Sequence, residues 1–186
     1  MTTEIIIAGF GGQGVLSMGK ILAHAAADSG KEVSWLPSYG PEQRGGTSNV
    51  TVIVSDERIS SPVVGLYDVA IILNQQSLDK FESRVKPGGI LIYDKYGISD
   101  FPTRTDIRIY GIDAMQTAVN SGIQKTFNML VLGSLLRLVP LVTSEAVLES
   151  LAASLPPRYH HLLDANRKAI DIGRTLPGTC EQHTAA

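Results

Sequence analysis

Residues 4–14 read Glu4-Ile5-Ile6-Ile7-Ala8-Gly9-Phe10-Gly11-Gly12-Gln13-Gly14. Ile5 to Ile7 form an all-apolar run, the pattern of a strand buried on both faces. Glycines follow at positions 9, 11, 12 and 14, and Val15 to Ser29 then carries helical spacing. A buried strand, a glycine turn and a helix make the opening unit of an open α/β sheet. The expected fold is therefore α/β: a Rossmann-like, doubly wound, three-layer α/β/α domain with a mostly parallel sheet. The turn falls at the carboxyl end of the strand, where such sheets place ligands. The first backbone N–H groups of the following helix have no partner inside it and offer a site for phosphate or another anion.

Gly9, Gly11 and Gly14 fit the spacing G-x-G-x-x-G. A dinucleotide site also needs an acid at the end of the second strand to hold the ribose hydroxyls. That strand reads as Glu32 to Leu36 and runs into Pro37-Ser38-Tyr39, with no acid there. NAD is disfavoured on this ground. A self-sufficient Rossmann-type nucleotide-binding oxidoreductase stays open as the alternative reading. Close packing of helix on sheet accounts for some of the glycines.

The chain has 186 residues, 44% hydrophobic and 18% charged. Those values suit one compact domain, expected over residues 1–177, with 178–186 as a disordered tail. The net charge of −2 provides no basic field for nucleic acid. The single cysteine, Cys180, cannot build a disulfide framework or an iron–sulfur cluster. If electrons pass through an assembly containing this chain, the clusters belong to a partner. The apolar stretch Met129 to Val142 is interrupted by Arg137 and Pro140 and is too short to span a bilayer. No signal segment is read before the first strand, so a cytoplasmic location is expected.

Asn49 to Val54 reads as a strand, with Arg58 to Ser60 returning as a hairpin arm. Val69 to Leu73 and Ile90 to Asp94 read as buried strands, separated by a helix at Ser77–Val85 and a turn at Lys86-Pro87-Gly88-Gly89. Ile107 to Tyr110 is the last strand. Helices are expected at 114–120, 125–139, 144–155 and 158–176, the second apolar on most faces. Asp94, Lys95, Asn74 and Gln75 end strands on the ligand edge, where capping is the simpler role. His24 reads as a packed histidine. His160 and His161 are adjacent and poorly placed to share one metal. No metal site is expected, and no residue of this chain is assigned a catalytic role.

The loop after the second strand, Ser38-Tyr39-Gly40-Pro41-Glu42-Gln43-Arg44-Gly45-Gly46-Thr47-Ser48, is long for a connection in a compact domain. Arg44 has the shape to hold a phosphate or carboxylate through two parallel bonds. The loop leaves the same sheet edge as the glycine turn. Candidate binding residues are Gly9, Gly11, Gly12, Gln13 and Gly14 on the turn, and Tyr39, Glu42, Arg44, Gly45 and Gly46 on the loop.

Gly9-Phe10-Gly11-Gly12-Gln13-Gly14-Val15 paired with Ser38 to Ser48 resembles the gamma subunit of 2-oxoacid:ferredoxin oxidoreductases, a module also similar to the indolepyruvate oxidoreductase beta subunit. Lys125-Thr126-Phe127-Asn128-Met129, followed by Leu132-Gly133, resembles that family's third block. The resemblance runs to about the start of the last helix. Gln43 departs from it, standing where many members have methionine. The resemblance implies a complex that oxidatively decarboxylates a 2-oxoacid to an acyl-coenzyme A and passes electrons to ferredoxin. It implies thiamine diphosphate, Mg2+ and iron–sulfur clusters in partner subunits (alpha, beta and, where present, delta), with coenzyme A as co-substrate. It implies a chain inactive alone that helps close the cofactor and coenzyme A site. In isolation such a chain is expected to self-associate through surface meant for a partner.

Overall fold

The computed structural model describes residues 1–39, 46–178 and 180. Glu42, Arg44, Gly45 and most of the expected disordered tail lie outside the described residues. The elements run β1 (Thr2–Phe10), α1 (Val15–Asp28), β2 (Glu32–Tyr39), β3 (Thr47–Ser55), β4 (Tyr67–Ile72), α2 (Gln75–Phe81), β5 (Val85–Asp94), β6 (Arg108–Ile112), α3 (Ala114–Asn120), α4 (Phe127–Leu138), α5 (Ser144–Ser154) and α6 (Leu163–Gly173). They form one six-stranded sheet of order β2-β3-β1-β4-β5-β6, with helices on both faces.

β1, β4, β5 and β6 are mutually parallel, and β3 runs antiparallel to both β1 and β2. The sheet is mixed, as expected, but the hairpin lies elsewhere. Arg58 to Ser60 form no strand; β3 pairs instead with β2, Tyr39 lying opposite Ser48. The reason is burial. Val50, Val52 and Val54 face one layer and Ile53 the other, so β3 is an interior strand that needs a long neighbour on each side. A three-residue arm cannot supply one. β2 can, and as an edge strand it tolerates Pro37.

Alternation along the parallel strands divides the core. Ile5, Ile7, Val69, Ile71, Ile90 and Ile92 face α1 and α4. Ile6, Ala8, Ala70, Ile72, Leu91 and Tyr93 face the layer that holds Leu78 and Phe81 of α2. Ile5, Ile6 and Ile7 are fully buried, each contributing about 1.5–3 kcal/mol. The expected turn Lys86–Gly89 lies within β5 as an irregularity. Pairing steps from Val85 opposite Tyr67 to Ile90 opposite Val69.

α4 is buried on most faces, as its composition predicts. It packs closely on α6, where the Ser134 hydroxyl donates to the Gly173 carbonyl at 2.8 Å. The last expected helix begins later than its pattern suggests. Pro157–Leu162 form a 3-10 segment and α6 starts at Leu163. The Thr143 hydroxyl accepts the Ala146 N–H at 3.1 Å and caps α5.

Lys31, just ahead of β2, pairs with Asp56, just after β3. This contact, together with the N-terminal ammonium at 2.8 Å, holds the Asp56 carboxyl down at about 2. A depressed carboxylate contributes stability that is present above the ordinary carboxylate range and lost as pH falls through about 2. Asp56→Asn is therefore expected to lose stability at pH 6 and to converge with the parent as the pH approaches 2. Urea midpoints across that range check this, and a pH-independent gap contradicts it.

Candidate functional site

Beyond β1 the backbone turns under the control of one side chain. The Gln13 Oε1 accepts the Phe10 N–H at 2.6 Å, and its Nε2 donates to the Leu73 carbonyl at 3.3 Å. Gln13 thus ties the end of β1 to the end of β4. A Cβ at Gly9 would stand 2.5 Å from that Oε1 and 3.0 Å from the Leu73 Cβ. Gly12 and Gly14 take φ values of 98° and 76°, a region that favours glycine. Gly14 immediately precedes α1. It offers no side chain to cap the helix, and no acid occupies the first turn of α1. The positive end of α1 therefore faces the turn without a protein anion at its start.

The described ends of the polar loop lie on the same rim. Phe10 lies opposite Thr47, so that end adjoins the glycine turn, and Tyr39, opposite Ser48, stands one strand further out along the same rim. The Gly11 N–H donates to the Gly46 carbonyl at 3.0 Å. Gly9, Gly11, Gly12, Gln13, Gly14 and Gly46, with the backbone of Tyr39, are thereby brought to one edge.

The third sequence block reaches this edge from α4. Asn128 packs so closely that a Cβ at Gly14 would lie 2.8 Å from its own Cβ. Gly12, Gly14, Lys125, Phe127 and Asn128 share the wall of a cavity of about 210 Å³. Asn128 is half-buried within α4. Lys125 and Met115 at this wall were not singled out from sequence as binding candidates. The Lys125–Met129 block was the available signal, but only the fold shows where it lands.

The remaining strand-end candidates act as caps and braces. Asp94 accepts the Ala114 and Met115 N–H groups at 3.0 and 3.2 Å, at the start of α3. Burial pushes its carboxyl up, against the opposing pull of those donors. Lys95 stands 3.5 Å from Asp113. Asn74 accepts the Ser77 N–H at 2.8 Å, and Gln75 accepts those of Ser99 and Asp100. His160 and His161 each meet a different backbone carbonyl. His24 is exposed on α1 rather than packed. Among the described residues no group of three or more His, Cys, Asp or Glu converges as metal ligands. No helix there is long and apolar enough to cross a membrane.

A family model described as pyruvate ferredoxin/flavodoxin oxidoreductase matches residues 4–176. Ketoisovalerate oxidoreductase subunit VorA of Methanothermobacter marburgensis is 40% identical over 171 residues, 91% of this chain and 35% of that protein. This chain therefore corresponds to only part of that relative's length. The gamma subunit of a keto/oxoacid ferredoxin oxidoreductase from Geobacter sulfurreducens superposes with a TM-score of 0.81 at 31% identity, over 94% of this chain and 95% of that one. The 2-oxoglutarate:ferredoxin oxidoreductase of Magnetococcus marinus, solved with 2-oxoglutarate, coenzyme A and succinyl-CoA bound, gives 0.84 at 25% identity, over 98% of this chain and 33% of that one. With the match running from β1 through α6, this chain belongs to the pyruvate ferredoxin/flavodoxin oxidoreductase family.

Proposed function

We propose that the chain is the gamma-type component of a 2-oxoacid:ferredoxin oxidoreductase complex in the cytoplasm, folded as one domain over residues 1–177. The complex cleaves carbon dioxide from a 2-oxoacid and forms the acyl thioester of coenzyme A. The electrons released leave through iron–sulfur clusters to ferredoxin. Thiamine diphosphate with Mg2+, held by partner alpha and beta subunits, supplies the carbanion stabilisation that decarboxylation requires. This chain supplies a binding edge and is inactive alone.

Within the complex, Gly9 to Gly14 and the loop from Tyr39 to Gly46 close over coenzyme A. The observation that carries this reading is the Gly11–Gly46 hydrogen bond, which couples the two segments at the start of α1. Backbone N–H groups at a helix start suit a diphosphate, and Arg44 adds a bidentate donor. Gln13 serves by shaping the turn, since both ends of its amide are already engaged.

The test is coenzyme A titration of the assembled complex carrying Arg44→Ala. The KM for coenzyme A is expected to rise roughly ten- to hundredfold, the worth of a charge-assisted hydrogen bond. Thiamine-dependent decarboxylation without coenzyme A should be retained. Unchanged affinity and turnover would remove the ligand role of the loop.

A further inference from the structure

A second cavity opens on the other side of Asn128, between α1, α4 and α5. Its volume is about 320 Å³, at the small end of the about 300–1,000 Å³ found for small-molecule pockets. Ile21, Met129, Leu151 and Leu155 provide apolar walls. Three of the polar side chains in the lining, Thr126, Ser154 and Asn166, are committed to the protein, and Ser17, His24 and Asn128 line it as well. Thr126 donates to the Ile123 carbonyl, Ser154 to that of Ser150, and Asn166 to that of Leu162, at 2.9, 2.9 and 2.7 Å. The wall formed by Ile21, Met129, Leu151 and Leu155 favours hydrocarbon.

The rim has the opposite character. Lys20 and Lys125 line the opening, and no aspartate or glutamate does, in a chain with 18 acidic and 16 basic residues. Neither lysine has an ion-pair partner among the described residues. An apolar wall beneath an unpaired cationic rim selects a ligand with a hydrocarbon body and a negative head.

We propose that this cleft binds a small amphipathic carboxylate, its tail against Ile21, Met129, Leu151 and Leu155 and its head between Lys20 and Lys125. The site is separate from the coenzyme A reading and does not rest on it. Lys125 borders both cavities, whereas Lys20 borders only this one, so Lys20 is the side chain to change.

The experiment is calorimetric titration of the full chain with octanoate, octan-1-ol and octylamine, which share a tail and differ in charge. Octanoate should bind roughly tenfold more tightly than the alcohol, as one charge-assisted contact provides. The amine should bind more weakly still. Lys20→Ala should bring octanoate to the level of the alcohol, and Lys20→Arg should keep the preference. Leu155→Trp, filling the cleft at the exposed end of α5, should abolish binding while circular dichroism shows an intact fold. Equal affinities for octanoate and octan-1-ol in the parent would overturn the proposal. So would octanoate binding that survives Leu155→Trp.

Discussion

Gly173→Ala is expected to lower stability by about 2 kcal/mol or more, with a fall in melting temperature of roughly 4–8 °C. An added Cβ would stand 1.9 Å from the Leu130 carbonyl oxygen and 2.8 Å from its carbon. These are backbone atoms of α4, so no rotamer change relieves the overlap. Overpacking costs about 1–3 kcal/mol in ordinary cores, and a rigid backbone neighbour places this site at the upper end. Alanine's better helix propensity returns at most about 1 kcal/mol. The opposed position behaves alike, since a Cβ at Gly133 would lie 2.3 Å from the Ile170 carbonyl. Urea unfolding of Gly173→Ala measures the effect directly. A midpoint equal to that of the parent would mean that the helices can part cheaply.

Gly14→Ala combines two costs at the start of α1. A residue with a Cβ pays about 1–2 kcal/mol to hold the left-handed conformation required by φ 76°. The new Cβ also meets the Asn128 Cβ at 2.8 Å, which pushes α1 away from α4. A total loss of about 2–4 kcal/mol is expected, together with weakened coenzyme A binding in the complex, because the helix start moves. A double-mutant cycle separates the terms. Adding Asn128→Gly removes the steric partner and should restore part of the stability, leaving the backbone cost. Full restoration would show that the conformation at residue 14 is not strained. No restoration would show that Asn128 yields freely.

Much of this architecture could be read from the chain. Ile5–Ile7, Val69–Leu73 and Ile90–Ile92 announce buried strands because each is apolar on consecutive positions. The glycine turn identifies itself by its place between strand and helix. The hairpin position was misread for a physical reason. β3 is buried on both faces, so its own residues do not say which neighbour it pairs with. Its connection to β2 is also longer than the two to five residues of ordinary hairpins. Strand-end polar residues were legible as caps, since Asn and Asp carry that chemistry locally. The convergence of Asn128 on Gly14, and of Gly133 on α6, was not legible. A half-polar residue on an apolar helix looks the same whether it meets a ligand, a glycine or solvent. A helical glycine gives no hint of which backbone presses on it.

The reversed direction of β3 has an evolutionary consequence. A crossover from β2 through a helix to a parallel neighbour would return the chain to the far rim of the sheet. The antiparallel pairing instead plants both feet of the 40–46 connection on the near rim, at Tyr39 and Thr47. Doubling the length of such a connection costs only about 0.6 kcal/mol of closure. Insertions between those feet should therefore be tolerated by the scaffold, and related chains are free to change the length and chemistry of this connection while the framework that carries its ends stays the same.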